Sequence, residues 1–226
     1  MSSSVVLMSD PRVAAIPVRD CGEVLVDVRA HGLTVDDRKR DGTGAWAHVR
    51  RGLLPRLLHA RSLLPAGTSL LFVEGFRPPA LQRRYFEEYS DRLARVHPHW
   101  QAAELRDAAS RFVSPPEIAP HSAGAAVDLT LIDHRGRELD MGTDVNASPE
   151  ESDGACYTEA PGLSDRARTN RATLRRALDS AGLINYGTEW WHWSFGDRYW
   201  AMRTKQPAAL YGPVGLPDTA PPPRRS

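Results

Sequence analysis

Hydrophobic positions along this chain switch between strand-like and helix-like spacing in short blocks. Three short apolar runs, at 24–28, 69–73 and 125–132, predict buried strands. Apolar residues at helical spacing predict helices over 46–64 with a kink or restart at Pro55, 78–96, 101–112 and 174–181. A turn at 133–136 followed by another strand, and a hairpin that turns at Gly196-Asp197, are also predicted.

These elements together predict an α+β fold with a central antiparallel sheet and helices packed to one side. No internal Gly-, Ser- or Pro-rich linker is long enough to separate two domains, so residues 1–215 are predicted to form a single domain. Residues 216–226 are rich in proline and contain two arginines, which predicts a disordered tail. The segment 142–161 has few apolar residues and predicts a long ordered loop, and such loops are often functional.

Composition narrows the class of protein. The chain has 226 residues, of which 41% are hydrophobic, enough to bury a sizeable core. Its formal charge of +1 argues against nucleic-acid binding as the main function. No apolar run approaches the roughly 18 residues that span a bilayer, and the N-terminus lacks the pattern of a signal peptide. Only Cys21 and Cys156 are present, which favours a reducing, cytoplasmic compartment. The oligomeric state is left open.

Two short motifs, 121–128 and 189–192, contain residues that bind metals. His121, Asp128 and His192 offer two imidazoles and one carboxylate, which suit zinc and leave a fourth position for water. One continuous strand would hold the first two roughly 23 Å apart. We therefore expect Gly124 to bend the chain, with the histidine on an incoming loop and the aspartate inside a strand.

Glu189 stands three residues before His192, where a carboxylate can take a proton from a metal-activated water. Their odd separation predicts a bulge, or a strand that starts after Glu189. Arg77 follows a predicted strand, where it either forms a local salt bridge or stabilises an oxyanion in a cleft. In the alternative interpretation the histidines only pack against the core, but a carboxylate at position 128 would then be buried at a cost.

The motifs are His121-x-x-Gly124-x-Ala126-x-Asp128, Glu189-x-Trp191-His192, and matching stretches at 75–78, 128–131, 140–142 and 185–192. In this order and spacing they resemble the signature of the zinc D-alanyl-D-alanine dipeptidases, which include the vancomycin-resistance dipeptidases. That family shares a fold with the zinc D-Ala-D-Ala carboxypeptidases. The resemblance extends over about 24–214.

The resemblance implies a zinc metallopeptidase domain with its site in a cleft over the sheet. His121, Asp128 and His192 would hold one zinc ion per chain. Glu189 would be the general base and acid, and Arg77 would stabilise the transition state. The implied reaction is hydrolysis of the small dipeptide D-Ala-D-Ala to two D-alanines by a zinc-activated water, with no nucleic-acid or membrane partner.

Substrate-binding roles are implied for Trp191 and for two positions that depart from the family pattern. Ala119 stands where the family usually has serine, and Asn146 where it usually has an aspartate that pairs with the substrate ammonium. Asparagine keeps an acceptor but loses the charge, so Asn146→Asp should lower KM if the position faces the ammonium. These departures favour one alternative, a peptidase of the same fold for another short peptide or peptidoglycan fragment. A second alternative is a non-catalytic module that binds cell-wall peptides, and the presence of all five proposed catalytic residues argues against it.

Overall fold

The computed structural model describes residues 5–216. Its α-helices are α1 (Pro11–Ala14), α2 (Leu53–Ser62), α3 (Pro79–Val96), α4 (Ala102–Ala109), α5 (Asp165–Ser180) and α6 (Arg198–Arg203). Its strands are β1 (Leu25–Asp27), β2 (Thr34–Val35), β3 (His48–Arg50), β4 (Thr68–Glu74), β5 (Ala126–Asp133), β6 (Ile184–Asn185) and β7 (His192–Ser194). Short 3₁₀ helices lie at Val28–His31, Ala45–Ala47 and His121–Ala123.

The predicted α+β class is confirmed, with one difference in the sheet. Five strands are hydrogen-bonded in the order β2-β4-β5-β7-β6, and β1 with β3 forms a separate two-stranded sheet. Every pair in the five-stranded sheet is antiparallel except β2 with β4, which is parallel. The connection between those two strands contains β3 and α2, and a parallel pair needs such a long crossover.

The two faces of β5 have opposite character because successive side chains on a strand alternate in direction. Val127, Leu129 and Leu131 belong to the main hydrophobic cluster, together with apolar residues of α2 and α5. Asp128 and Thr130 therefore point to the other face. The sheet thus has a core face covered by α2 and α5 and a face on which polar side chains are buried.

The helix predicted over 46–64 begins only at Leu53. Residues 48–50 instead form β3, which pairs antiparallel with β1. Pro55 lies in the first turn of α2, where a missing N–H removes no helical hydrogen bond, so the proline causes no kink. The helix predicted over 101–112 is also shorter, Ala102–Ala109.

The hairpin predicted at Gly196-Asp197 is wrong. β7 is followed by α6, and the Asp197 carboxylate accepts hydrogen bonds from the backbone N–H groups of Tyr199 and Trp200 at the start of that helix. Asp197 is therefore a helix cap and not a turn residue. The strand predicted after 133–136 is reduced to one isolated bridge, Ile132 with Glu138.

Most of the predicted tail, 217–226, lies outside the described residues. Within 5–216, no helix has both the length and the apolar composition needed to cross a membrane. The prediction of a single domain over 1–215 stays a prediction.

Candidate metal centre and adjoining cleft

Three adjacent strands place candidate site residues side by side on the polar face of the sheet. Asp128 of β5 is opposite Glu74 of β4 on one side and His192 of β7 on the other. Directly opposed residues in antiparallel strands project to the same face. The register of β4 shifts between Phe72 and Glu74, so Val73 is the extra residue of a bulge and Glu74 is the one that faces Asp128.

His121 reaches the same point from a loop. The 3₁₀ turn His121–Ala123 ends at Gly124, which has a left-handed backbone with φ +63°, and β5 begins two residues later. A side chain at position 124 would overlap the Leu25 Cδ2 atom, so glycine is required by both the backbone and the space. The bend predicted at Gly124 is therefore present, and it places His121 beside Asp128.

The three ligand atoms form a nearly equilateral triangle. The distance from His121 Nε2 to His192 Nδ1 is 3.2 Å, from His121 Nε2 to Asp128 Oδ1 3.4 Å, and from His192 Nδ1 to Asp128 Oδ1 3.1 Å. A tetrahedral zinc ion, with ligands about 2.0–2.1 Å away, separates neighbouring ligand atoms by roughly 3.3–3.4 Å. The triangle therefore has the size of one face of a zinc coordination tetrahedron.

The protonation states of the trio also fit a metal. His121 Nδ1 contacts the Gly75 carbonyl oxygen at 2.6 Å, so Nδ1 donates a proton there and Nε2 is the ring nitrogen that faces the other two ligand atoms. Burial lowers the pKa of His192, which favours the neutral ring. Burial alone would raise the pKa of Asp128, but the two histidines outweigh it and hold that pKa below its usual range. An ionised carboxylate and a neutral imidazole are forms that bind zinc, so the shifts at Asp128 and His192 both favour metal binding.

Glu189 lies in a turn immediately before β7. Its N–H donates to the Tyr186 carbonyl, and its own carbonyl accepts from the His192 N–H, so the strand starts after Glu189, as one of the two alternatives predicted. Glu189 Oε2 is 3.8 Å from His192 Nδ1. Burial, and next the charge of Asp128, raise the pKa of Glu189 well above its usual value.

Asn185 holds this turn in place, a role that the sequence did not predict. Its side-chain amide donates to the carbonyl oxygens of Glu189 at 2.9 Å and His192 at 3.0 Å. Its side-chain oxygen accepts from the Thr158 hydroxyl at 2.5 Å. Asn185 therefore fixes the backbone of both Glu189, the candidate general base, and His192, a candidate metal ligand.

Arg77 is buried beside the trio, and both predicted functions remain compatible with its position. Its Nε and Nη2 donate to the two oxygens of Glu74 at 2.7 and 2.6 Å, and Nη1 donates to Gln82 Oε1 at 2.8 Å. Its backbone N–H donates to the His121 carbonyl at 3.2 Å. One hydrogen each on Nη1 and Nη2 remains for a ligand. The signal missed in the sequence was Glu74, a carboxylate at a strand end three residues before Arg77.

A cavity of about 320 Å³ adjoins Arg77. Its walls include Lys39, Tyr85, Tyr89, Phe112 and Asn146. A larger recess of about 880 Å³ lies beside β6 and α5, and no proposed ligand or catalytic residue lines it. The smaller cavity is the relevant one because it is continuous with the arginine next to the trio.

Of the three predicted substrate-binding residues, only Asn146 lines the cavity. Its backbone is left-handed, with φ +67°, a conformation that asparagine tolerates better than most residues. Ala119 is buried and lines a separate small cavity of about 20 Å³. Trp191 is completely buried in the main hydrophobic cluster, so the structure places its ring in the core and not on the cavity wall.

Comparison with known proteins gives a consistent set of similarities. A model of the peptidase M15 family, described as D-Ala-D-Ala dipeptidase, matches residues 52–208. A D-alanyl-D-alanine dipeptidase of Synechocystis sp. is 30% identical over 225 residues, covering 85% of this chain and 90% of the relative. One of Enterococcus faecalis is 30% identical over 146 residues, covering 62% of this chain and 67% of the relative. The solved structure of the D,D-pentapeptidase VanY with Zn(II) aligns with a TM-score of 0.43 at 15% identity, over 88% of this chain and 96% of that one.

Proposed function

Because the chain belongs to the D-Ala-D-Ala dipeptidase family of peptidase M15, and is thus a metallopeptidase, we propose that it hydrolyses D-alanyl-D-alanine to two molecules of D-alanine. One observation carries the proposal. The trio of His121, Asp128 and His192 has its ligand atoms within 3.1–3.4 Å of one another, and the Glu189 carboxylate is 3.8 Å from one of them. A buried carboxylate next to a metal site is the arrangement that peptide hydrolysis requires.

We propose zinc as the metal, one ion per chain. The donor atoms would be His121 Nε2, Asp128 Oδ1 and His192 Nδ1. Two nitrogens and one carboxylate oxygen with tetrahedral spacing favour zinc over magnesium or calcium, which prefer oxygen ligands. Zinc at this point would polarise the substrate carbonyl and lower the pKa of water.

Glu189 is proposed to move the proton. Its carboxylate accepts a proton from the attacking water and then donates that proton to the nitrogen of the leaving D-alanine. The carboxylate is therefore unprotonated again after each turnover. The side chain is 8% exposed, which keeps bulk water from competing for that proton. Burial raises the pKa of this carboxyl. A bound cation would act in the opposite direction and favour the ionised carboxylate, the form that accepts a proton.

Arg77 is proposed to stabilise the negative charge that develops on the substrate carbonyl oxygen. Glu74 and Gln82 together occupy three of its five N–H groups and fix the plane of the guanidinium. A donor that is already oriented needs no reorganisation when the charge appears. Glu74 and Gln82 are therefore positioning residues for Arg77.

A second candidate function is supported by the cavity. Asn146 replaces the usual aspartate, and the walls carry Tyr85, Tyr89 and Phe112, which offer more apolar surface than an alanine methyl group needs. A peptidase of the same fold that cleaves another short peptide or a peptidoglycan fragment would use that surface. A non-catalytic binding module would not require Glu189 and Arg77 in these positions.

We also propose a cytoplasmic location, which the two unpaired cysteines, Cys21 and Cys156, are consistent with. Residues 1–215 are proposed to form one metallopeptidase domain.

The test is release of D-alanine from D-Ala-D-Ala by zinc-loaded protein, with Glu189→Ala as the control. Wild-type protein should bind one zinc per chain and turn over the dipeptide. The variant should keep the zinc, measured by elemental analysis, and lose at least about 10²-fold in kcat. Turnover that survives in the variant would remove Glu189 from its proposed role. A wild type that binds zinc but cleaves only N-acetyl-D-Ala-D-Ala or longer peptides would select the second candidate.

A further inference from the structure

Lys39 is a cation without a partner on the wall of the cavity. It is one of only two lysines in the chain and is partly buried, between β2 and the 3₁₀ helix Ala45–Ala47. Among the described residues it has no hydrogen bond and no carboxylate within 4 Å. Its Nζ atom is 5.6 Å from the centre of the Tyr85 ring.

The acidic residues of the same loop bind arginines or backbone N–H groups, so none of them pairs with Lys39. Asp36 pairs with Arg38 at 2.7 Å, and Asp37 with Arg40 at 3.7 Å. Asp41 accepts hydrogen bonds from backbone N–H groups of its own loop. A partly desolvated ammonium without a counter-charge is unfavourable unless a ligand supplies one.

The charge of this cavity is opposite to what an ammonium group needs. Its lining includes the cations Lys39, Arg77 and Arg92, and within the described part of the chain Glu88 is the acidic residue that lines it. Arg92 has only long contacts, 3.5 Å or more, with acidic side chains. Asn146, at the position where the family usually has an aspartate, is neutral. Three cationic side chains and one acidic one therefore surround a ligand in this cavity, which favours a carboxylate over an ammonium.

Lys39 shares this cavity with Arg77, whose backbone N–H donates to the His121 carbonyl. The lysine therefore lies in the cavity that adjoins the proposed catalytic groups.

We propose that Lys39 binds the C-terminal carboxylate of the dipeptide substrate in this cavity, with the side-chain amide of Asn146 as a second donor. Recognition is then directed to the anionic end of the substrate. The inference rests on the proposed function, because it takes a short peptide with a free C-terminus as the ligand. Position 146 then faces the carboxylate of the substrate, whereas the resemblance implied that it faces the ammonium.

The test compares two ligands on matched variants. D-Ala-D-Ala and D-alanyl-D-alaninamide differ in the charge at the C-terminus. Lys39→Met keeps the apolar stem over Tyr85 and removes the charge. Lys205→Met, at the other lysine, which is exposed after α6, is the control, and Lys39→Arg restores a cation. Binding is measured by calorimetry on zinc-loaded protein that carries Glu189→Ala, so that no turnover interferes.

Lys39→Met should weaken binding of the free dipeptide about tenfold and leave binding of the amide unchanged. Lys205→Met should change neither, and Lys39→Arg should recover most of the loss. Equal losses for the acid and the amide, or no loss for either, would overturn the proposal. So would the absence of any binding of D-Ala-D-Ala.

Asn146→Asp provides an independent test. A substrate carboxylate and a substrate ammonium next to this position predict opposite changes in affinity for the free dipeptide. Next to a substrate carboxylate, a new carboxylate should weaken binding of the free dipeptide. Tighter binding in Asn146→Asp would place the ammonium in the cavity and overturn the inference. If binding depends on Lys39 but protein with its native Glu189 releases no D-alanine, the proposed function fails and the inference stands. If D-alanine is released and Lys39→Met binds normally, the inference fails alone.

Discussion

Gly124→Ala should destabilise the protein more than any glycine substitution in an open turn, because two separate penalties act at this position. Gly124 has φ +63°, and an added Cβ would overlap Leu25 Cδ2 and lie 3.3 Å from the backbone nitrogen of Arg50. The Arg50 N–H also donates to the Gly124 carbonyl at 2.8 Å, so this backbone cannot move away freely. Leu25 is buried in β1, which leaves it little room to shift.

The left-handed backbone costs an alanine about 1–2 kcal/mol. Forcing extra volume into a packed site adds about 1–3 kcal/mol. The expected loss in the free energy of unfolding is therefore roughly 2–5 kcal/mol. Gly136→Ala is the matched control, because Gly136 has φ +76° and nothing lies within 4 Å of its added Cβ. Gly136→Ala should be destabilised by the backbone penalty alone. The effect of alanine on the unfolded chain cancels when the two variants are compared.

Urea denaturation of the metal-free variants measures the two losses directly. The Gly124 N–H donates to the His121 carbonyl at 3.0 Å, so a shift at this turn also moves one proposed ligand. Zinc affinity, measured by competition with a chelator, should fall about ten- to a hundredfold in Gly124→Ala and stay unchanged in Gly136→Ala. Equal losses of stability in the two variants would refute the reasoning, because the overlap with Leu25 would then contribute nothing.

Removal of the metal by a chelator should lower the melting temperature by roughly 5–10 °C relative to protein with zinc at 100 times its Kd, since such binding adds about 2.7 kcal/mol; identical melting curves would contradict a bound metal. Glu74→Gln should lower the free energy of unfolding by about 3–5 kcal/mol, because it leaves the Arg77 charge without its buried partner. Asp165→Asn, in a pair whose aspartate is 98% exposed, should change it by less than about 1 kcal/mol, and similar losses would show that burial is irrelevant. Arg171→Met removes donors to three carbonyls of the loop 141–157, so that loop should become the first site of limited proteolysis, and an unchanged cleavage pattern would show that it is held by other contacts.

Local patterns predicted the parts of the site that depend on local chemistry. The strand β5 follows from its apolar alternation, and Asp128 within it could be recognised because a carboxylate there must have a partner. The bend at Gly124 follows from the distance that the chain would otherwise put between two ligands. Each of these arguments needs only residues that are near each other in the sequence.

The parts that the sequence did not predict depend on pairing between distant segments. The bulge at Val73 turns Glu74 toward Asp128, and nothing in the spacing of β4 indicates it. Residues 48–50 form a strand because β1 is available as a partner, although their local sequence continues smoothly into α2. The sequence alone does not distinguish Lys39 from a surface lysine. Its lack of a partner arises from the folded loop, in which the neighbouring aspartates bind other groups.

The charges of the polar face argue for one divalent cation. Glu74, Asp128 and Glu189 are all buried next to one another, and Arg77 is the buried cation that opposes them. The three carboxylates and Arg77 together carry a charge of −2 when the carboxylates are ionised, and burial makes such an excess unfavourable. Burial, and next the charge of Asp128, raise the pKa of Glu189, and a proton on that group relieves part of the excess. A divalent cation relieves all of it and leaves Glu189 free to accept a proton. Lys39 then remains as one positive charge outside the neutralised group, where a substrate carboxylate can balance it.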